Sequence, residues 1–521
     1  MMNRMSSGDG RAVSSELPFF AIVFIAAFAQ SISVGWPFDA GFVQGQTFWP
    51  LQTAAMAAFM VVLAQATTPA SAARLAWAFA TLWLSTTFWW LYVAMHTYGG
   101  LPALLAMAAV VALAAALGGY YAFAVWAWRK WCPKLSTLAI GAFASTWLMA
   151  EMARGTWLTG FGWGAVGYAH VDGPLSAYLP WVGSYGVSGL AAVWAAVWAR
   201  AWIQRTWVAA VLVSAVLCMP SVLPDRLNEF TSPTNTLQVT LLQGNIPQDE
   251  KFETGSGVPV ALRWYRDALN QSTGDLVVAP ETAIPLLPQQ LPDGYWDTMT
   301  ERFTQGTQSA LIGIPLGSCK TGYTNSVIGI TPGAQKIWQY DKHHLVPFGE
   351  FIPPLFKWFT QLMNIPLGDF NRGPLGQASL PVRGERVAPN ICYEDLYGEE
   401  LATRFADPDT APTIFANVSN LGWFNDTVAL QQHLNISRVR ALEFQRPFVR
   451  ATNTGATAIL SHEGKVIEML PPLTRGVLHG QVQGRTGMTP FAWWASRFGL
   501  WPLWIVALAV VAVTFYKRKP A

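Results

Sequence analysis

Three titratable residues in the second half of the chain follow apolar segments, at positions where strand-end loops commonly build the sites of α/β folds. Glu281 lies in DLVVAPETAIP, Lys342 in WQYDKHHLVPFGEF, and Cys392 in RVAPNICYEDLYGEEL. Acyl transfer needs a nucleophile, a base for its proton, and a cation where negative charge develops on the carbonyl oxygen. Because cysteine, glutamate and lysine supply these functions, the set predicts an acyl-transfer site with Cys392 as its nucleophile.

Each of the three residues also has an ordinary structural explanation. A lone cysteine is commonly an inert core residue, a strand-end glutamate caps a helix or faces solvent, and a lone lysine usually lies at the surface. Cys392 additionally begins a predicted helical run, and a helix N-terminus favours the thiolate. The combination of residue types, rather than any one of them, therefore carries the prediction.

Other catalytic and binding classes lack their usual signals in this sequence. No G-x-S-x-G elbow, H-E-x-x-H, Walker loop or helix-opening G-x-G-x-x-G occurs. The four cysteines are too widely spaced for a C-x-x-C pair, and the adjacent His343 and His344 would point to opposite faces of a strand. The net charge of +3 comes without a dense basic patch. The sequence therefore argues against a metal site, a disulfide framework and nucleic-acid binding, and we expect no cofactor.

The composition indicates a membrane protein, since 52% of the residues are hydrophobic and only 12% are charged, against about 25% charged in soluble domains. Crossing a hydrocarbon layer of ~30 Å takes about 20 helical residues, and about eight apolar runs approach that length. The runs are residues 17–34, 47–66, 75–98, 101–128, 135–153, 177–201, 207–223 and 494–516. We therefore predict seven spans before a long polar segment and one span after it.

Positive charge in the short loops alternates from one side to the other, and loops rich in lysine and arginine stay in the cytoplasm. One side holds Arg4, Arg11, Arg74, Arg129, Lys130, Lys134, Arg200, Arg205, Lys517, Arg518 and Lys519, whereas the opposite short loops hold only Arg154. This pattern predicts cytoplasmic termini and a polar segment outside the cytoplasm. A cleavable signal peptide ending near Ala27-Phe28-Ala29 is an alternative for the first run, and it would leave the later topology unchanged.

The polar segment alternates strand-like and helix-like runs, which predicts a layered α/β domain around a central sheet. The predicted strands are 237–243, 276–279, 310–314, 326–330, 386–391, 413–418, 449–451 and 456–460, and the predicted helices are 258–271, 296–305, 396–405 and 430–444. Pro332-Gly333 predicts a hairpin turn. We divide the chain into a helical membrane domain at 1–227, a catalytic domain at 228–489, and a final span with its tail at 490–521.

Several phrases in the polar segment resemble those of a known family. The Glu281, Lys342 and Cys392 order is similar to the Glu-Lys-Cys triad of the nitrilase superfamily, which is built on an α-β-β-α sandwich. The phrases QGNIPQ, PETAIP, YDKHHLVPFGE, ICYED and RATNTG resemble, more closely, the membrane-embedded branch of that superfamily, the apolipoprotein N-acyltransferase family. With spans on both sides of the catalytic segment, the resemblance covers essentially the whole chain.

The resemblance implies the final step of bacterial lipoprotein maturation, on the periplasmic side of the inner membrane. An acyl chain would pass from a phospholipid, mainly phosphatidylethanolamine, through a Cys392 thioester to the α-amino group of a diacylglyceryl-modified N-terminal cysteine. Glu281, Lys342 and Cys392 would be catalytic. Glu350, Tyr393 and Glu394 match supporting residues of the family; we expect Glu350 to orient Lys342, and Tyr393 with Glu394 to shape the oxyanion site or the helix start.

Aromatic residues near these motifs are candidate lipid contacts. They are Phe252, Trp358, Phe359, Trp423 and Phe424. The stretch 351–370, FIPPLFKWFTQLMNIPLGDF, is unusually apolar for a loop outside the spans, and we expect it to gate acyl chains at the membrane surface; a buried core insertion is the alternative. Two positions depart from the family pattern: Phe252 stands where a tryptophan is common, and Leu421 stands where an aspartate is expected.

Two other functions remain open at the level of sequence. A membrane-tethered nitrilase-like amidase or hydrolase would give the acyl group to water, and a transporter or inactive membrane scaffold would use no nucleophile. The intact Glu281, Lys342 and Cys392 argue against a scaffold. The absence of isolated charges at the centre of most predicted spans argues against an ion pathway.

Overall fold

The computed structural model describes residues 10–38, 41–223, 228–352 and 370–517, with the side chains of residues 10–19 excepted. A helix or a pair of helices lies at each of the eight positions where the sequence predicts a span. These are Gly10–Ser33, Trp49–Gln65, Pro69–Thr87 with Leu91–Val93 and the π-helix Ala94–Tyr98, Ala103–Trp131, Thr137–Thr156, Leu179–Gln204, Trp207–Cys218, and Pro490–Phe498 with Trp501–Tyr516.

Few of these helices are both long and apolar enough to cross a membrane alone. Among the described residues, Ala103–Trp131 and Pro174–Gln204 meet both conditions. The pair Pro69–Thr87 and Leu91–Tyr98, bent by 64°, and the pair Pro490–Phe498 and Trp501–Tyr516, bent by 91°, would raise the number to four if each is one span. Eight spans, and the insertion of the catalytic segment between the last two, therefore stay predictions.

The polar segment forms two mixed six-stranded sheets. Their strands are β1 Thr231–Gln243, β2 Leu276–Val278, β3 Ser309–Ser318, β4 Gly322–Ile330, β5 Trp338–Asp341, β6 Leu380–Val382, β7 Glu385–Ile391, β8 Ile414–Ser419, β9 Phe448–Thr452, β10 Ala458–Leu460, β11 Val466–Met469 and β12 Gly476–Gly487. The strand orders are β12-β1-β2-β3-β4-β5 and β11-β10-β9-β8-β7-β6. The central pairs of each sheet are parallel, which requires crossovers between them.

Four layers result, because the two sheets pack face to face and helices cover their outer faces. Buried residues of both sheets, including Leu241, Val278, Ile391 and Val418, share one hydrophobic core. The helices Gly257–Gln271 and Tyr295–Thr304 cover the first sheet, and the helix Ala429–Phe444 covers the second. The nitrilase-like α-β-β-α arrangement is therefore confirmed.

All eight predicted strands occur, and Pro332-Gly333 lies in the connection between the antiparallel strands β4 and β5, with Gly333 at a φ of 71°. One predicted helix is wrong as drawn. Residues 396–405 do not form one helix but the end of a 3-10 turn, a five-residue helix Gly398–Ala402 and a second 3-10 turn. Strands β5, β6, β11 and β12 have no counterpart among the eight predicted runs.

The catalytic sandwich packs directly against the helices of the first half. Glu443 Oε1 accepts a hydrogen bond from the Ser184 backbone N–H at 2.6 Å, and Arg440 Nη2 donates to Ser184 Oγ at 2.9 Å. Gln432 Oε1 accepts from the indole N–H groups of Trp90 at 3.1 Å and Trp163 at 2.8 Å. The helix Ala429–Phe444 thus links the second sheet to the helical half.

Candidate active site

Glu281 lies in the loop after β2, and both of its carboxylate oxygens are held. Oε1 accepts from Asn325 Nδ2 at 2.7 Å and from Lys342 Nζ at 3.2 Å. Oε2 accepts from the Asn420 backbone N–H at 2.9 Å. Because these contacts come from three different loops and strands, the carboxylate has a fixed orientation in a buried setting.

Lys342 follows β5 and bridges two carboxylates. Its Nζ lies 3.2 Å from Glu281 Oε1 and 2.9 Å from Glu350 Oε1, and its side chain is 1% exposed. Burial alone would lower the pKa of Lys342, but Glu281 and Glu350 raise it above its usual range. Lys342 is therefore a permanent cation, and the contact with Glu350 agrees with the expectation that Glu350 orients it.

Asn325 on β4 was missed by sequence reasoning. Its Nδ2 donates to both Glu281 Oε1, at 2.7 Å, and Glu350 Oε1, at 2.6 Å. The amide therefore separates two carboxylates that would otherwise repel each other. A buried asparagine inside an apolar strand was the available signal, but its partners lie in other loops.

Cys392 stands at the turn between β7 and the 3-10 helix Cys392–Leu396, with a φ of 50° that non-glycine residues rarely adopt. Its backbone oxygen accepts from His433 Nε2 at 3.1 Å. Arg450 Nη2 donates to His433 Nδ1 at 2.8 Å, which leaves Nε2 as the protonated ring nitrogen. Burial and Arg450 lower the pKa of His433 well below its usual value, so a neutral imidazole holds the strained turn.

The expectation that a helix N-terminus would favour the Cys392 thiolate is wrong. The residues after Cys392 form a five-residue 3-10 turn rather than an α-helix. Although part of Cys392 reaches solvent, burial and the charge of Glu281 raise the pKa of its thiol well above the usual range, against the opposing effect of Lys342. The resting side chain of Cys392 is therefore a thiol rather than a thiolate.

Glu394 and Tyr393 have distinct structural partners. Glu394 Oε2 accepts from the Ile391 N–H at 2.7 Å and from Tyr340 Oη at 2.8 Å, and Oε1 accepts from the His343 N–H at 2.7 Å. Glu394 thus fixes the Cys392 turn against the loop that carries Lys342. Tyr393 Oη instead donates to the Gly160 backbone oxygen at 3.2 Å, which joins the turn to the helical half.

Lys251 is a second buried lysine at the site, and no sequence pattern predicts its position there. Its Nζ donates to the Glu281 backbone oxygen at 3.1 Å, and it is 1% exposed. Burial lowers the pKa of Lys251 to about 7, against the opposing charges of Glu281 and Cys392.

The three described candidate lipid contacts lie in two places. Phe252 is 39% exposed beside Lys251, with 5.9 Å between its ring centroid and Nζ. Trp423 packs on Tyr98, with ring centroids 5.7 Å apart, and Phe424 packs on Trp90, with centroids 4.4 Å apart. Both contacts join the loop after β8 to the bent helix pair of the helical half.

Trp358 and Phe359 lie outside the described residues, as does most of the apolar stretch 351–370. Both flanks of the undescribed residues 353–369 are described. Phe370 N–H donates to the Glu350 backbone oxygen at 2.9 Å, and the Phe351 backbone oxygen accepts from the Phe348 N–H at 2.9 Å. The described residues on both sides of 353–369 therefore lie beside Glu350.

Known proteins resemble the chain over nearly its whole length. Family models described as apolipoprotein N-acyltransferase N-terminal domain and carbon-nitrogen hydrolase match residues 39–197 and 238–491. A protein from Verminephrobacter eiseniae named apolipoprotein N-acyltransferase is 51% identical over 505 residues, covering 91% of this chain and 92% of that protein. This chain belongs to the apolipoprotein N-acyltransferase family.

Other relatives of the same name are more distant but match over a similar length. The one from Ralstonia nicotianae is 43% identical and covers 91% of this chain and 90% of its own length. The one from Neisseria meningitidis serogroup A is 36% identical, with 87% and 89% covered. The resemblance that the motifs indicated is thereby confirmed.

Leu421, one of two departures from the apolipoprotein N-acyltransferase pattern, has an apolar role here. It is 1% exposed and packs beside Gly455, just before the 3-10 helix Gly422–Phe424. The polar contact to Glu281 in this loop comes from the Asn420 backbone N–H, which does not depend on the side chain at 421.

Proposed function

We propose that this chain transfers an acyl chain from a membrane phospholipid to the α-amino group of the N-terminal diacylglyceryl-cysteine of apolipoproteins, through a thioester on Cys392. The observation that carries the proposal is the buried Glu281–Lys342–Glu350 cluster, which acts electrostatically on the Cys392 thiol. The family name of the relatives supplies the substrate class. A fixed base, a permanent cation and a nucleophile on a strained turn are the parts that acyl transfer requires.

In the first half-reaction, Glu281 takes the proton of the Cys392 thiol as Sγ attacks the ester carbonyl of the phospholipid. The Lys342 ammonium stabilises the negative charge that develops on the carbonyl oxygen. The ester C–O bond then breaks, and Glu281 returns the proton to the departing lysophospholipid oxygen. The product is a thioester on Cys392 with the carboxylate of Glu281 regenerated.

In the second half-reaction, the α-amine of the apolipoprotein attacks the thioester carbonyl. Glu281 accepts a proton from the attacking nitrogen, the C–S bond breaks, and the same proton restores the thiol of Cys392. An amide replaces the thioester, so no redox step or cofactor is involved. Glu350 and Asn325 act by holding Lys342 and Glu281 in place.

The proposed donor is a membrane lipid and the proposed acceptor carries a lipid anchor, so the site must work at a membrane surface. The proposal places the chain in the bacterial inner membrane, with the catalytic domain 228–489 on the periplasmic side and phosphatidylethanolamine as the main donor. It is supported by the apolar helices, by the apolar stretch that begins and ends beside Glu350, and by the contacts of Trp423 and Phe424 with the helical half. Phe252, whose side chain is partly exposed to solvent, is a further candidate contact for lipid.

Reconstitution tests the proposed function. The purified full-length chain in vesicles containing phosphatidylethanolamine should acylate a diacylglyceryl lipopeptide with a free amino terminus, and the Cys392→Ala variant should not. Release of free fatty acid in place of the N-acylated peptide would instead support the hydrolase alternative. A lipopeptide with a blocked amino terminus is the matched control and should remain unmodified.

A further inference from the structure

Lys251 has no part in the mechanism derived above, although it lies within the same cluster. It belongs to the segment after β1, and its ammonium group donates to the Glu281 backbone oxygen at 3.1 Å. Gln248 of the same segment accepts from Asn420 Nδ2 at 2.7 Å, and Asn420 N–H donates to Glu281 Oε2 at 2.9 Å. This segment therefore supports Glu281 at both its backbone and its carboxylate.

The charges of the cluster explain why a cation is useful there. Glu281 and Glu350 share the single ammonium group of Lys342, so the three groups together carry one net negative charge. That charge opposes formation of a thiolate on Cys392, whose pKa Glu281 and Glu350 raise. Lys251 acts electrostatically on both Glu281 and Cys392 and can supply the balancing positive charge.

A purely structural role would not require a lysine. Burying an ammonium group costs free energy unless charges and hydrogen bonds compensate for it, and a neutral donor would bind the Glu281 oxygen without that cost. Lys251 lies beside Glu281, which is negative, and interacts with Cys392, which becomes negative during the reaction. These charges compensate for the burial of its ammonium group. Resting on the proposed function, we propose that Lys251 is a positioning residue whose buried positive charge balances the Glu281–Lys342–Glu350 cluster and favours the negative charge that forms on Cys392 as the thiol loses its proton.

Alkylation of Cys392 by iodoacetamide tests the proposal without lipid or lipoprotein, so its outcome is independent of the proposed function. The full-length protein is purified, alkylated at slightly acidic pH, and the Cys392 peptide is quantified by mass spectrometry. Lys251→Gln and Lys251→Met remove the charge, and Lys251→Arg keeps it. Lys320→Met, at an exposed turn, is the matched control, and a thermal unfolding transition verifies that each variant is folded.

Loss of the charge should slow alkylation about tenfold, since a nearby opposite charge shifts a pKa by about one unit or more. Lys251→Arg should stay within about threefold of the wild type. Because the lysine is protonated below its pKa of about 7, the difference between wild type and Lys251→Gln should shrink as the pH rises through that value. The charged groups that interact with Lys251 are Glu281 and Cys392, and Lys342, itself paired with Glu350, contacts the Glu281 carboxylate.

The opposite results would overturn the proposal. A merely structural lysine predicts that the folded Lys251→Gln and Lys251→Met variants react at the wild-type rate, or faster because the site is looser. Equal slowing in Lys251→Arg and Lys251→Gln, or a difference from wild type that does not change with pH, would also contradict a role for the charge.

Discussion

At the scale of single residues, the site combines a protonated thiol at Cys392 with a Glu281 carboxylate whose orientation is fixed. The surroundings of Cys392 raise the pKa of its thiol, so a thiolate must form during the reaction rather than before it. Glu281 has both oxygens held by Asn325, Lys342 and Asn420, which keeps it oriented throughout. A thiol of this kind is protected from adventitious oxidation, since the thiolate is the reactive form.

The Glu281→Gln substitution should slow thioester formation by roughly 10²- to 10⁴-fold, because a carboxamide cannot accept the thiol proton. The rate is measured as acyl incorporation into the protein from a labelled phospholipid. Glu301→Gln, on the exposed face of the helix Tyr295–Thr304, is the matched control and should react at the wild-type rate. Acylation of Glu281→Gln within about threefold of wild type would remove Glu281 from the role of base.

At the scale of secondary structure elements, the sequence was most informative where strands are buried on both faces. Continuous apolar runs such as those of β2 and β8 are typical of central parallel strands, and both were predicted. Strand β11 is exposed at all four positions, and β12 contains four glycines, so neither carries that signal. β11 pairs with β10, and β12 pairs with β1. A local sequence pattern does not indicate such pairing.

The site residues also differ in whether local sequence can identify them. Glu281 and Cys392 follow buried strands, and Lys342 follows the short strand β5, so local sequence identifies them. Lys251 and Asn325 join the site only through partners that the sandwich brings together. Neither residue carries a local pattern that distinguishes it from an ordinary polar side chain.

The helix Ala429–Phe444 carries a buried ion pair whose two residues both contact Ser184 of the helical half. Arg440 and Glu443 are 2.7 Å apart with side chains 1% and 0% exposed. Glu443→Leu should destabilise the protein by about 3–5 kcal/mol because Arg440 is left buried without its partner. The double variant Arg440→Met, Glu443→Leu should recover part of that loss, as measured by unfolding in detergent.

An exposed ion pair provides the control for this cycle. Lys465 and Glu463 have side chains 71% and 46% exposed, so Glu463→Leu should change stability by no more than about 1 kcal/mol. The pair does not stabilise the protein if Glu443→Leu lowers the free energy of unfolding no more than Glu463→Leu does. The same conclusion follows if the loss in the double variant is the sum of two independent losses.

At the scale of the whole molecule, the account requires the catalytic domain to meet phospholipid and lipoprotein on one face of the membrane. The alternating lysine and arginine loops predict that face to be periplasmic. Reporters fused after Asn228 and after Ala521 should therefore report periplasm and cytoplasm, respectively, by alkaline phosphatase and fluorescent protein activity. A cytoplasmic signal after Asn228 would contradict the proposed topology, because both substrates would then lie on the wrong side.

The central claim is that an acyl chain rests on Cys392 between the two half-reactions, and intact-mass measurement tests it most directly. The full-length protein incubated with phospholipid and no acceptor should gain the mass of one acyl chain, and neutral hydroxylamine should remove it because thioesters yield to that nucleophile. Adding a diacylglyceryl peptide with a free amino terminus should discharge the adduct into the N-acylated peptide, with ping-pong kinetics. An adduct that persists in Cys392→Ala, or transfer that proceeds only when both substrates are bound together, would contradict the account.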